Sequence, residues 1–238
     1  DSGLVIQLSK GEYEIIQSPF ISTLKVFDRD GKGSYWDVLC AFAYVKDINE
    51  NGGNISIVNA SFGGSMPQEI FELDADGNKS IFAELLDELN NWNTLVVTSA
   101  GNKGEDNELG VERDFLSFFN SDNILSVGGY FDDGERPVTS PVKLDLQSNY
   151  GATSIDIAMA FNNYQLLFDN PATAPTQDKV TLAGTSYSAA AMSAIAAKAI
   201  IEAEEMGRTL TPAQLKEVIF RNPSVTTGDF GEKIIDNK

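Results

Sequence analysis

The chain has 238 residues, 42% apolar and 22% charged, enough to bury a sizeable core without disulfide or metal staples. Its 17 Lys and Arg against 35 Asp and Glu leave a formal charge of −18, which suits divalent cations or basic peptides and opposes a nucleic-acid partner, and no window nears the ~18 unbroken apolar residues of a membrane-spanning helix. Histidine is absent, so these residues hold no histidine base and no histidine-ligated metal, and the single Cys40 excludes a disulfide within the chain.

Apolar runs alternate with helical periodicities along the first half, the pattern of strand, crossover helix and parallel strand. Thr23-Leu24-Lys25-Val26-Phe27 reads as a strand, closed by the turn Asp28-Arg29-Asp30-Gly31. The helix after it spaces Trp36, Leu39, Cys40, Ala43 and Val45 by about three and four residues and ends before Asn51-Gly52-Gly53. Cys40, among Trp36, Leu39 and Phe42, reads as a small buried hydrophobe. Residues 55–58 form a second strand, and a helix over 80–92 turns Ile81, Phe82, Leu85, Leu86 and Leu89 inward. The continuous apolar run 94–97 is a strand of the kind covered on both faces, and 124–127 is another. After the turn Asp132-Asp133-Gly134, residues 136–178 mix Pro, Asn and Gln with short apolar pieces and read as irregular loops and edge strands. An Ala-rich helix over 185–206 and a shorter one after the start signal Thr211-Pro212 close the chain. With no internal repeat and no low-complexity linker, the expectation is one α/β domain over 1–238, a mostly parallel sheet with helices on both faces.

Two motifs carry chemistry. The strand at 95–98 runs into Ser99-Ala100-Gly101-Asn102-Lys103-Gly104, whose small residues permit a sharp turn at the carboxyl end of a parallel strand, the edge where open α/β sheets place their sites. Asn102 is expected to stand exposed on that turn. Leu182-Ala183-Gly184-Thr185-Ser186-Tyr187-Ser188-Ala189-Ala190 sets a serine in the first turn of the Ala-rich helix, where the positive end of the dipole and a free backbone N–H would stabilise an anionic oxygen. Each residue also has a plain structural reading, Asn102 as a turn residue tolerant of positive φ and Ser186 as a helix N-cap.

Gly184-Thr185-Ser186 followed by small residues on a helix resembles the nucleophile motif of the subtilisin-like serine peptidases. Further segments are similar to that family's in the same order: Leu24-Lys25-Val26-Phe27-Asp28 with Gly31 and Gly33, Val58-Asn59-Ala60-Ser61-Phe62-Gly63-Gly64, and Ala100-Gly101-Asn102-Lys103-Gly104. Phe230-Gly231-Glu232-Lys233-Ile234-Ile235-Asp236 resembles its closing segment, with Lys233 where a second Gly is usual. The resemblance runs over roughly residues 18–236 and implies a subtilisin-like fold and a serine endopeptidase acting on peptides or proteins, secreted or held at the cell envelope. It makes Ser186 the nucleophile, and Asn102 with the Ser186 N–H the oxyanion hole. Ser61, Phe62 and Gly63 would pair with an extended substrate strand, and Asp1, in Asp1-Ser2-Gly3-Leu4, would stand at the aspartate motif.

The chain also departs from that pattern. The family's histidine motif is missing, and residues 4–24 are too few for the strands and histidine helix that would separate Asp1 from the strand at 23–27. Either a histidine-bearing segment lies outside the chain as given, which opens on Asp1 rather than Met, or Asp1 matches by chance; both readings stand. Ala190 takes the place of a usual Pro and Ala160-Phe161 that of a Pro-Gly. The related sedolisins are poorly matched, because no Glu-Asp pair at helical spacing occurs in the first third and Asn102 stands where they carry Asp. Two functions of different class follow: a serine endopeptidase, incomplete or inactive in these residues, and a pseudopeptidase that binds peptides or proteins without cleaving them. A nucleotide-binding protein is disfavoured by the lack of a Gly-rich phosphate loop. No metal belongs to the expected catalytic set. Ca²⁺ is weighed at Asp74-Ala75-Asp76-Gly77-Asn78-Lys79-Ser80 with Glu84, but its Gly and Glu fall out of EF-hand register, so a turn capping the next helix is preferred.

Overall fold

A computed structural model of the chain describes residues 4–8, 12–16, 21–67, 79–109, 112–119, 121–131, 145–162, 164–169, 177–222 and 225. In chain order the elements are β1 (Leu4–Leu8), β2 (Glu12–Ile16), α1 (Tyr35–Glu50), β3 (Ile57–Ala60), β4 (Ser65–Pro67), α2 (Ile81–Asn91) and β5 (Leu95–Ser99). They continue with β6 (Glu112–Asp114), β7 (Ile124–Tyr130), β8 (Ile157–Ala160), β9 (Tyr164–Asp169), β10 (Gln177–Leu182), α3 (Thr185–Glu205) and α4 (Pro212–Phe220).

β3, β5, β7 and β8 lie side by side in that order as one parallel sheet. Parallel neighbours need long crossovers, and here helices cover both faces of the strands. β5 shows the result: Leu95 and Val97 enter the core beneath α3 and α4, Val96 the core beneath α1 and α2, and the whole strand is buried. On the first face Val38 and Phe42 of α1 and Leu86 and Leu89 of α2 pack with Val96, Phe115 and Ile124. On the second, Ala189, Met192 and Ala196 of α3 lie against Val97, Leu125, Val127 and Ile157, with Leu215 and Ile219 of α4 completing the layer. The small alanines let α3 approach the sheet closely while still excluding water. Three antiparallel pairs, β1 with β2, β4 with β6 and β9 with β10, form separate two-stranded sheets.

Local chemistry starts most of the helices. Ser34 and Asp37 form a reciprocal capping box at α1, Thr211 and Gln214 another at α4, and Ser80 caps α2 by accepting from Ala83 N. α3 differs, since Gly184 stands at its N-cap with no side-chain cap bond. At the amino-terminal edge of the sheet, buried Asn49 of α1 donates to Ile55 O at 3.1 Å and Thr94 Oγ1 at 3.0 Å, and accepts from Ile55 N at 2.7 Å. Lys216 of α4 donates to Ile124 O at 2.7 Å and pairs with Asp156 Oδ1 at 3.0 Å, while Asp156 Oδ2 accepts from Ser126 N at 2.8 Å.

The α/β sheet with helices on both faces is as expected, and β8 at the sheet edge and β9 fall within the stretch 136–178 where edge strands are anticipated, while β10 runs mostly beyond it, to Leu182. Several local expectations are corrected. Residues 23–27 are not a strand: no described strand pairs with them, and a run of strand-forming residues without a ladder leaves its backbone groups to other partners. Val26 instead packs at the margin of the first core and Phe27 meets Phe62. Cys40 is exposed, because α1 turns Val38, Leu39, Phe42, Val45 and Asn49 inward and leaves Trp36, Cys40 and Tyr44, four residues apart, on its outer side. Ile81 opens α2 and is 59% exposed rather than inward. The second strand starts at Ile57 instead of Ile55, whose N–H and C=O are taken by Asn49 and Thr94.

Candidate active site

The strands of the parallel sheet end along one edge at Ala60, Ser99, Tyr130 and Ala160, and the start of α3 is brought to that edge by hydrogen bonds from its first turn. Gly184 N donates to Phe161 O at 2.7 Å, and the buried Ser188 hydroxyl donates to Ala160 O at 2.7 Å. Ala160-Phe161 thus holds the helix through main-chain carbonyls, which need no particular side chain. Gly184 has φ +140°, a conformation L side chains rarely adopt, and a Cβ there would stand 3.4 Å from Asn102 Nδ2. Ala190 is exposed in mid-helix, where α3 continues without a break.

Asn102 lies on the exposed turn after β5, but its φ is not positive; the flanking Gly101 and Gly104 take the left-handed conformations at φ 106° and 68°. Its side chain is anchored on the residue before Ser186. Asn102 Oδ1 accepts from Thr185 N at 2.9 Å and from Thr185 Oγ1 at 2.8 Å, and Thr185 Oγ1 accepts in turn from Gly101 N at 3.2 Å. A backbone N–H only donates, so the amide atom facing Thr185 must be the oxygen. Nδ2 is therefore turned away from Thr185 as a donor. The completely buried Thr185 is a member of the site that motif reading passed over; its signal was its place between Gly184 and Ser186.

Ser186 is the second residue of α3, not its N-cap, so its N–H has no intrahelical acceptor and lies in the positive field of the helix start. Its hydroxyl donates to Ser61 O at 3.1 Å, and Ser61 Oγ donates back to Ser186 O at 2.9 Å. This clasp joins the segment after β3 to the start of α3. Phe62 roots the same segment, its ring 5.2 Å from Phe27 and 6.4 Å from Phe115, and leaves Gly63 exposed. The structure thus brings Ser61, Asn102 and Ser186 to one edge. Among the described residues the only hydrogen bond of Ser186 Oγ is to a carbonyl, which cannot take its proton at neutral pH.

Asp1, residues 74–78 of the acidic loop and the closing segment 230–236 lie outside the described residues. Among the described residues no group of three or more His, Cys, Asp or Glu is placed to hold a metal ion, and no helix is long and apolar enough to cross a membrane.

The site is thus a serine-bearing helix start set at the carboxyl edge of a parallel sheet within an α/β architecture. The sequence model of the subtilase family (Peptidase_S8) matches residues 21–237, and the chain belongs to that family. It is 29% identical over 209 residues to an extracellular basic protease of Dichelobacter nodosus, a match covering 86% of this chain and 30% of that protein. Among solved structures it is similar to a lanthipeptide protease, with TM-score 0.59 and 20% identity over 82% of this chain and 60% of that one. A prenylagaramide maturation protease, PagA, has TM-score 0.56 and 22% identity over 81% and 58%. A cold-adapted subtilisin-like serine proteinase has TM-score 0.55 and 17% identity over 81% and 56%. The fold is therefore subtilisin-like, and the chain spans less than two thirds of the length of each of these proteins.

Proposed function

We propose that this chain forms the acyl-binding part of a subtilase serine endopeptidase site, with Ser186 as nucleophile and Asn102 Nδ2 with the Ser186 N–H as oxyanion hole. Residues 61–63 would be the edge that pairs with an extended peptide. The observation that carries this reading is the anchoring of Asn102 Oδ1 on Thr185, which leaves Nδ2 to donate beside the serine that follows. In the reaction Ser186 Oγ bonds to the scissile carbonyl carbon, the carbonyl π pair moves onto its oxygen, and that oxyanion accepts from the two donors. The hydroxyl proton must pass to a base, a contribution of about 10²–10⁴-fold in rate when such a group is in place. With no histidine in the chain and a carbonyl as the partner of Ser186 Oγ, the 238 residues by themselves bind a peptide and polarise its carbonyl without cleaving it. The same observation favours a second reading, a peptide- or protein-binding pseudopeptidase. The extracellular Dichelobacter relative supports a secreted protein.

The test separates reactivity from geometry. The 238-residue chain is expected to show no measurable hydrolysis of general peptide substrates and no stoichiometric labelling by a serine-directed phosphonate. It should bind a peptide boronate, because boron takes the Ser186 oxygen at equilibrium and releases the hydroxyl proton to solvent, and Ser186→Ala and Asn102→Ala should each weaken that binding. Stoichiometric phosphonate labelling would show that another group activates Ser186. Boronate binding indifferent to both substitutions would remove the proposed site.

A further inference from the structure

The turn bearing Asn102 is gripped from behind by two buried amides. Asn149 Oδ1 accepts from Lys103 N at 2.8 Å and Glu105 N at 3.2 Å, while its Nδ2 donates to Asn107 Oδ1 at 2.9 Å. Asn107 Nδ2 then donates to Ala100 O at 2.9 Å and to Ser117 Oγ at 3.0 Å. Asn149 is 2% and Asn107 4% exposed. The orientation of both amides is determined from the ends of the relay: the N–H groups of Lys103 and Glu105 only donate and the carbonyl of Ala100 only accepts, so each amide has one consistent setting. The main chain adds Asn149 N to Gly101 O at 3.0 Å and Gly104 N to Gln147 O at 2.9 Å. Gly104 permits that approach, since a Cβ there would lie 2.4 Å from Leu146 O. Backbone groups on both sides of Asn102 are thereby held, and its own side chain is left to reach Thr185.

We infer that Asn149, with Asn107, is a positioning residue for the oxyanion donor Asn102. The inference rests on the role proposed for Asn102 above. A fully paired buried amide network is rigid, and a donor aimed at a developing oxyanion depends on that rigidity, because misplacement by about 1 Å can cost about a hundredfold. An ordinary structural role would lower stability and every kind of peptide binding together. A positioning role acts on the tetrahedral ligand alone, and only while Asn102 is present.

The experiment is a double-mutant cycle on the 238-residue chain. Affinities are measured for a peptide boronate, and for the same peptide with hydrogen in place of the boronic acid, in the unsubstituted protein, Asn149→Ala, Asn102→Ala and the double variant. Asn149→Ala should weaken the boronate by about tenfold to a hundredfold, leave the boron-free peptide within about twofold, and add no further loss in the Asn102→Ala background. The boron-11 resonance of the bound ligand should move from its tetrahedral toward its trigonal position in Asn149→Ala. Equal losses for both ligands, or an undiminished loss in the Asn102→Ala background, overturn the inference. If Asn102→Ala weakens the boronate and Asn149→Ala does not, the inference alone fails; if Asn102→Ala has no effect, the role of Asn102 fails and the inference with it. Should Asn149→Ala not fold, hydrogen exchange in the unsubstituted chain decides. The amides of Lys103 and Glu105 should be as protected as those of β5, and exchange at free-loop rates overturns the clamp.

Discussion

The carboxylate of Glu108 holds the turn at 151–154, where Oε1 accepts from Thr153 N, from Thr153 Oγ1 at 2.9 Å and from Ser154 N at 2.9 Å. Burial pushes this carboxyl up, but the hydrogen bonds from Thr153 and Ser154 together outweigh it and hold it below the ordinary glutamate range. A lowered folded-state pKa gives stability that is complete above the unfolded value of about 4.3 and is lost as pH falls through the folded value. Glu108→Gln removes the charge at nearly constant shape. It should cost about 1 kcal/mol at pH 7, allowing for partial exposure, and less near pH 3, below the unfolded value. Urea unfolding midpoints at the two pH values check this, and an equal gap at both would refute it. At this scale Ser186 and Asn102 were readable as candidates because each sits in a short contiguous motif of small residues, although the groups they bond stand 125 and 83 residues away. Glu108, Asn107 and Asn149 were not, since Asn and Glu in loops read as turn formers, and each bonds a partner 42 to 46 residues away.

Among elements, two cations of α4, Lys216 at mid-helix and Arg221 at the C-cap, offer a controlled comparison. Lys216 reaches under the sheet to Ile124 O and Asp156, its side chain 15% exposed, whereas the Arg221–Glu217 pair has side chains 81% and 71% exposed. Lys216→Met leaves a carbonyl without its donor and Asp156 without its counter-charge, and should cost about 1–3 kcal/mol. Arg221→Met should cost less than about 0.5 kcal/mol. Thermal unfolding of the two variants checks the contrast, and similar losses would show that α4 is not held to the sheet through Lys216. β5, β7, α2, α3 and α4 were legible because unbroken apolar runs and cap residues are local signals. The facing of α1 was misread because Trp36, Cys40 and Ala43 make its outer side apolar too, and periodicity cannot rank two apolar stripes. The run at 23–27 has strand composition, but pairing depends on a neighbour that no local pattern reports. The β1–β2 pair went unread for the same reason.

The whole molecule carries a formal charge of −18, a field that acts on any peptide approaching the carboxyl edge of the sheet. A Lys- and Arg-rich peptide boronate should associate faster than an Asp- and Glu-rich one of equal length at low salt. The gap should close as ionic strength rises and the Debye length falls to about 10 Å near 0.1 M. Stopped-flow association rates across a salt series measure this, and a gap independent of salt would exclude long-range steering. The order of assembly has its own consequence. The chain lays β3, β5, β7 and β8 across the sheet in sequence, and α3, which packs against all of them, is made only afterwards. Growing from its amino end, the polypeptide therefore has both the Asn102 turn and the strand edges before it has Ser186 to set beside them. Ser186 takes its place when the helix docks, so the emerging chain cannot join Ser61, Asn102 and Ser186 at one edge until the sheet that disciplines them is complete.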